Sequence, residues 1–250
     1  MVKGSKRQII FLPNLRDAGR GIFECAYFVL RADRGDGDVG ENEMLLEAER
    51  IRCVACYFPI YRVRGTNIGV VRTTVGAPIT ATLTEEISYV YSCRKFVMFG
   101  SCGGLDSSIA PGKLIVPTHA YRDEGMSYHY APPADYIEVR NHAFVASVLD
   151  SLGVGHVEGR TWTTDAFYRE TDVLCRKRRA EGCIAVEMEV SAVQAVADFY
   201  GFEFYNFLYR ADNLDAESWE SSYLAKMPHD ERLSHFYVAL EIARRAAQEN

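Results

Sequence analysis

Two carboxylates at the start of a predicted helix could bind hydroxyl groups. Glu187 and Glu189 follow the apolar run 184–186 and flank Met188. Acidic side chains in this position either cap the helix or accept hydrogen bonds from a ligand. A carboxylate at the end of a buried strand needs hydrogen-bond donors, and sugar hydroxyls supply them, so the pattern favours a sugar-containing ligand.

A further acid and an aromatic pair could bind a planar ring. Asp212 follows an apolar run and stands two residues after Arg210. Such a pair is either a satisfied ion pair or an acid placed for chemistry. Phe167 and Tyr168 follow another apolar run, and Asp165 adds a carboxylate beside them. Together these residues indicate a pocket in which an aromatic ring stacks on a planar ligand.

A glycine-rich segment precedes all of these residues. Residues 100–104 read Gly-Ser-Cys-Gly-Gly. Glycine lacks a Cβ atom and tolerates positive φ, so the segment either lets the backbone approach a ligand or forms a tight turn. Its spacing matches neither the three-glycine dinucleotide fingerprint nor the phosphate loop that ends in Gly-Lys-Ser/Thr.

The elements that position these residues alternate along the chain. Apolar runs predict strands at 95–99, 113–118, 159–164, 184–186 and 202–209, and helical spacing predicts helices at 78–91, 143–152, 189–200 and 230–247. We therefore expect an α/β fold, a single domain over 1–250 with a central mixed, largely parallel sheet flanked by helices. Ligands of such sheets bind beyond the carboxyl ends of the strands, where the residues above lie.

The first quarter of the chain is less regular. An apolar run at 8–13 predicts a strand, and 52–63 with 68–72 predicts a β-hairpin. Residues 31–43 are rich in glycine and charge, which predicts a mobile loop.

Composition narrows the class of partner. The chain has 250 residues, 48% of them hydrophobic, and a formal charge of −6. An acidic chain is a poor ligand for a polyphosphate backbone, and no apolar run is long enough to span a bilayer, so we expect neither nucleic acid nor a membrane as partner. Seven cysteines without a secretion-type leader predict reduced thiols and a cytoplasmic location. Cys53 and Cys56 lack a second pair, so no metal site is expected.

The motifs together resemble the purine nucleoside and uridine phosphorylase family. They are the glycine-rich segment and residues 111–117, 122–125, 163–168, 186–189 and 211–212, in that order and spacing. Val-Glu-Met-Glu at 186–189 is the most specific of them, and the resemblance extends over roughly 68–215.

The resemblance implies a nucleoside phosphorylase-like fold, assembled as a homodimer or trimer of dimers. It also implies reversible cleavage of a nucleoside by phosphate, a co-substrate, with no other cofactor. Roles are implied for residues that bind ribose (Glu187, Met188, Glu189), the base (Phe167, Tyr168) and phosphate (Ser101, Gly76, Arg72), and for Asp212 as the acid that protonates the purine at N7. Thr171 and Val173 replace the uracil-binding glutamine and arginine of uridine phosphorylases, which favours a purine.

Two departures from the family pattern leave open whether phosphate or water accepts the sugar. The family has a phosphate-binding arginine where this chain has Met98, and the phosphate loop after the first strand keeps at most Arg16. Arg72 or an arginine of a neighbouring subunit is a candidate replacement. The alternatives are a nucleosidase of the same fold, whose water-activating glutamate has only Glu24 as a poor match, and a non-catalytic nucleoside-binding protein.

Overall fold

A computed structural model describes residues 8–12, 45–52, 57–216, 220 and 228–248. The predicted loop 31–43, the cysteines at 53 and 56, Arg16 and Glu24 lie outside the described residues. The prediction of one domain over the whole chain therefore stays a prediction.

Ten strands and five α-helices form the described part of the chain. The strands are β1 Gln8–Leu12, β2 Leu45–Arg52, β3 Tyr57–Val63, β4 Ile68–Arg72, β5 Lys95–Gly104, β6 Leu114–Asp123, β7 Tyr136–Glu138, β8 His156–Thr164, β9 Cys183–Glu187 and β10 Glu203–Asn213. The helices are α1 Ala77–Tyr91, α2 His142–Ser151, α3 Asp172–Ala180, α4 Val190–Tyr200 and α5 His229–Gln248. Two single 3₁₀ turns, Met126–His129 and Phe167–Arg169, lie between them.

Five of the strands close into a ring. The order is β10-β6-β8-β9-β5, and β10 pairs again with β5; from β5 the sheet continues through β1, β4, β3 and β2. Among the described pairings five are parallel and five are antiparallel. The predicted mixed α/β class is confirmed, whereas the expectation of a largely parallel sheet is wrong. Residues 105–113 join β5 to β6 without a helix, so the chain reverses there instead of crossing over.

Alternating side chains of β5 build two apolar cores. Phe96 and Met98 pack in a cluster with residues of α1 and α4, whereas Val97 and Phe99 pack with residues of α2 and α5. The two-residue period of a strand places successive side chains on opposite faces. Helices therefore pack on both faces of this strand, and its carboxyl end is held from both sides.

The local predictions agree with most element positions. The hairpin is confirmed as β3 and β4, and the four predicted helices are confirmed as α1, α2, α4 and α5 with ends shifted by at most one residue. Strand β5 runs on through Gly104, so the glycine-rich segment is strand and not loop. The elements that the sequence did not predict are β2 as a separate strand, the short β7 and α3.

Candidate active site

The site lies where β5, β9 and β10 meet. Gly103 of β5 pairs with Val186 of β9 and with Asp212 of β10. A Cβ atom at Gly103 would stand 2.9 Å from Val186 Cγ1 and 3.1 Å from Asp212 Oδ1, closer than ordinary packing allows. The glycine-rich segment therefore lets three strands converge and brings Asp212 against β5.

Glu187 caps helix α4. Its Oε2 atom accepts hydrogen bonds of 2.7 Å each from the backbone N–H groups of Glu189 and Val190. Its Oε1 atom accepts from the hydroxyl of Thr161 at 3.2 Å and from that of Thr163. The side chain is buried, and this burial raises the pKa of Glu187 to about 7 against the lowering effect of its donors. Both carboxylate oxygens thus accept hydrogen bonds from protein donors, and Glu187 acts as a cap of the helix. Ribose binding by Glu187 stays a prediction.

Glu189 links the start of α4 to the start of α1. Its Oε1 atom accepts a 2.6 Å hydrogen bond from the backbone N–H of Gly76, and its Oε2 atom accepts one of 3.2 Å from that of Met188. Burial, followed by the charge of Glu187, raises the pKa of Glu189 to about 8. The structure thus brings Gly76, predicted for phosphate, into contact with Glu189, predicted for ribose.

Arg210 fixes the backbone that carries Asp212. The pairing of β10 with β5 is irregular between Arg210 and Asp212, which leaves Ala211 unpaired as a bulge. Arg210 is buried, and its guanidinium donates to the carbonyl of Asp212 at 3.2 Å and to that of Ile109. The arginine therefore satisfies carbonyls at the bulge and holds the strand end in place.

The predicted aromatic pair sits on a 3₁₀ turn after β8. The ring centroids of Phe167 and Tyr168 are 4.0 Å apart at 39°. Phe167 is half-buried, whereas Tyr168 is 84% exposed. Phe167 is therefore the better placed of the two to stack on a ligand within a pocket.

Glu170 is a site candidate that sequence analysis missed. It follows the Phe167–Arg169 turn and is half-buried. Burial, followed by the charge of Asp212, raises the pKa of Glu170 to about 8. A glutamate in a polar stretch carries no local signal of burial, so only the fold shows that Glu170 is half-buried and that the charge of Asp212 affects its pKa.

The motif at 122–125 has a structural role. Arg122 is buried and donates to Ser127 Oγ at 2.8 Å and to the carbonyl of Pro132 at 2.6 Å. Glu124 accepts from Ser191 Oγ at 2.8 Å, which joins this loop to α4. Asp165 accepts from the N–H of Gly125 at 3.2 Å. These contacts hold the loop against the elements that carry the site.

The predicted phosphate residues are spread over the strand ends. Arg72 ends β4 and is half-buried, and this burial lowers its pKa. Ser101 lies on β5, where it pairs with Tyr209 of β10. Strand β1 lies between β4, which carries Arg72, and β5, which carries Ser101. Met98 is buried in the apolar cluster of α1 and α4.

The described part of the chain has neither a membrane-spanning helix nor a cluster of metal ligands. None of its helices is long and apolar enough to cross a bilayer. Its His, Cys, Asp and Glu side chains form no group of three or more that could hold a metal ion.

Solved structures share this fold. Purine nucleoside phosphorylase from Toxoplasma gondii in complex with immucillin-H aligns with a TM-score of 0.71 and 16% identity, over 99% of this chain and 93% of that one. Futalosine hydrolase of Helicobacter pylori aligns with a TM-score of 0.70 and 17% identity, over 94% and 97%. AMP nucleosidase from Bacteroides thetaiotaomicron aligns with a TM-score of 0.65 and 19% identity, over 97% and 90%. The class defined by the fold thus includes a phosphorylase, a hydrolase and a nucleosidase.

The sequence itself shows the family. The chain belongs to the phosphorylase superfamily, whose model matches residues 41–238. Among curated relatives, a DeoD-type purine nucleoside phosphorylase of Bacillus cereus is 26% identical over 187 residues, which cover 74% of this chain and 77% of the relative. The resemblance drawn from the motifs is therefore confirmed.

Proposed function

We propose that the protein cleaves the N-glycosidic bond of purine nucleosides with phosphate as the acceptor. The observation that carries the proposal is the approach of Asp212 to Gly103, beside the strand that leads into Glu187-Met188-Glu189. An acid and a hydroxyl-binding carboxylate at one strand edge match the two ends of a nucleoside, the base and the sugar.

Glu189 is the proposed ribose ligand. The cap supplied by Glu187 satisfies the first N–H groups of α4, so Glu189 is not needed for that purpose. Its own partners are two backbone N–H groups. A carboxylate has about four lone-pair positions, so acceptor capacity remains for ribose hydroxyls.

Asp212 is the proposed general acid. As the C1′–N9 bond breaks, its electron pair moves onto the purine and the sugar becomes oxocarbenium-like. A proton from Asp212 to N7 neutralises the leaving base, and catalysis of this kind is worth about 10² to 10⁴ in rate. A phosphate oxygen then bonds to C1′, which gives ribose 1-phosphate and the free base.

Phosphate is assigned to Ser101, Gly76 and Arg72. All three lie at or just beyond the carboxyl ends of β4 and β5, where ligands of such sheets bind. The curated relatives support phosphorolysis, since they are purine nucleoside phosphorylases.

Hydrolysis is a second candidate because of one contact. The Gly76 N–H, which would otherwise face phosphate, donates to Glu189. A phosphate dianion would therefore lie near a carboxylate, whereas a water molecule would not be repelled. Two of the proteins with this fold are a hydrolase and a nucleosidase.

The experiment is a nucleoside panel assayed for base release. Inosine, adenosine and uridine are incubated with wild type and with Asp212→Asn, in the presence of phosphate. We expect purine release by wild type and a loss of at least a hundredfold in the variant. Tight purine nucleoside binding by wild type without any base release would instead identify a binding protein and refute the enzymatic proposal.

A further inference from the structure

A groove between α5 and two loops lies apart from the candidate active site. Its volume is about 330 Å³, and small-molecule sites have volumes of about 300 to 1,000 Å³. One wall is a face of the first turns of α5, and the other consists of the loop before β6 and the turn before β8. The described residues that line the groove include none of the candidate active-site residues. Its chemistry comes from three polar side chains, Lys113, Glu231 and His235, and three apolar ones, Pro111, Val154 and Val238.

The groove holds two opposite charges on opposite walls. Glu231 lies on the α5 wall, and Lys113 immediately precedes β6. The Lys113 Nζ atom lies against the turn before β8, since a Cβ atom at Gly155 would stand 2.6 Å from it. Within the described part of the chain Lys113 forms no ion pair. The two charges therefore line one groove without contacting each other.

His235 adds a hydrogen-bonding atom whose partner is missing. Its side chain is 5% exposed and stacks on Tyr209, with ring centroids 4.7 Å apart at 24°. Burial lowers the pKa of His235 to about 4 against the effect of the Glu231 charge, so the imidazole is neutral near pH 7. Its Nδ1 atom has no hydrogen-bond partner among the described residues. Buried polar atoms normally have a partner, so a ligand or a water molecule is expected at this wall.

The position of Glu231 at a helix start does not account for the other two groups. An acid in the first turn of α5 is favourable to the helix dipole, so Glu231 alone would need no ligand. Neither the ammonium of Lys113 nor the Nδ1 atom of His235 has an equivalent explanation within the described residues. These two groups are the reason to expect a ligand in the groove.

The lining defines the class of ligand. An anion would be attracted by Lys113 but repelled by Glu231, and a cation would meet the reverse situation. A molecule with both charges can pair with both walls at once. Val154 and Val238 provide apolar surface that an aliphatic group would cover. A free amino acid with an aliphatic side chain combines these features at a size that suits the groove.

We propose that this groove is a second ligand site that binds a small zwitterion with an aliphatic side chain, the chemistry of a free amino acid such as leucine. The carboxylate of the ligand pairs with Lys113, and its ammonium group pairs with Glu231. The imidazole of His235 supplies a further hydrogen bond to the polar end. The aliphatic side chain lies on Val154 and Val238.

The test is calorimetric titration with three probes that differ only in charge. They are L-leucine, 3-methylbutylamine, which lacks the carboxylate, and 4-methylpentanoate, which lacks the ammonium group. The proteins are wild type, Lys113→Met, Glu231→Gln and a control, Lys177→Met, whose ammonium is exposed on α3. We expect leucine to bind wild type saturably and each of the other probes to bind at least tenfold more weakly.

Each variant should lose affinity only for the probe that carries the matching charge. Lys113→Met should bind leucine at least tenfold more weakly than wild type and should not weaken the binding of 3-methylbutylamine. Glu231→Gln should weaken leucine in the same way and should not weaken 4-methylpentanoate, and the control should match wild type. The proposal is refuted if leucine shows no saturable binding, if either single-charge probe binds as tightly as leucine, or if either variant keeps the wild-type affinity for leucine.

Discussion

Replacing Glu187 and Glu189 in turn by glutamine should separate stability from binding. In Glu187→Gln one carboxylate oxygen becomes an NH₂ group that faces hydrogen-bond donors, either the two backbone N–H groups of α4 or the hydroxyls of Thr161 and Thr163. The cap also loses its charge at a helix N-terminus. With about 1 to 1.5 kcal/mol for each of two weakened bonds, we expect a loss of about 2 to 3 kcal/mol, or roughly 5 to 10 °C in Tm.

Glu189→Gln should have the opposite profile. It removes a buried carboxyl whose ionisation burial disfavours, and the amide oxygen can still accept from the N–H of Gly76, so Tm should stay the same or rise slightly. Above about pH 8, where the Glu189 carboxyl is ionised, each lost charge-assisted bond to ribose costs about 1.5 to 3 kcal/mol, a roughly 10- to 150-fold fall in nucleoside affinity. Thermal unfolding and nucleoside titration of both variants measure the two effects. If Glu189→Gln unfolds early yet binds nucleoside normally while Glu187→Gln is stable, the two roles are reversed and the reasoning is wrong.

The site should also determine the pH dependence of stability, the choice of base and the binding of phosphate. Glu189 has a higher pKa in the folded state than its ordinary value of 4.5, so its stabilising contribution is complete below about pH 4.5 and lost as pH rises towards 8. Urea unfolding between these limits should show a decline in the free energy of unfolding, of at most about 1.4 kcal/mol per pH unit for this group. The decline should be smaller in Glu189→Gln. Purine nucleosides should be cleaved with higher kcat/KM than uridine, because Thr171 and Val173 lack the amide and guanidinium of a uracil clamp; better cleavage of uridine would overturn the base assignment. Arg72→Met should raise KM for phosphate at least tenfold and leave that for nucleoside nearly unchanged, whereas Arg62→Met, exposed on the neighbouring strand, serves as the control.

Local patterns predicted most elements of the fold but not the closure of the sheet. Helix α1 has regularly spaced buried residues such as Leu83 and Ile87, and the hairpin has a glycine-containing turn, so both are visible in a short window. The sequence did not predict helix α3, because this segment is mostly charged and only Cys175 and Arg178 are buried. The antiparallel approach of β9 to β5 depends on residues some 80 positions apart, for which a single sequence holds no signal.

The site shows the same division between local and long-range information. The sequence predicted that acidic residues lie at strand ends, but it could not show which of Glu187 and Glu189 caps the helix and which is available to a ligand. The division is set by Thr161 and Thr163, which reach Glu187 from β8, and by Gly76, which reaches Glu189 from the start of α1. Glu170 was missed for a similar reason, since its partial burial, and with it the effect of the Asp212 charge on its pKa, arises only in the folded chain.

The most direct test of the central proposal is the fate of the sugar. Wild-type protein is given adenosine in ¹⁸O-labelled water, with and without phosphate, and the products are identified by ³¹P NMR and mass spectrometry. Phosphorolysis predicts ribose 1-phosphate without ¹⁸O from the water and base release that stops when phosphate is removed. Free ribose labelled with ¹⁸O, formed at the same rate with and without phosphate, would contradict the proposal and establish a hydrolase.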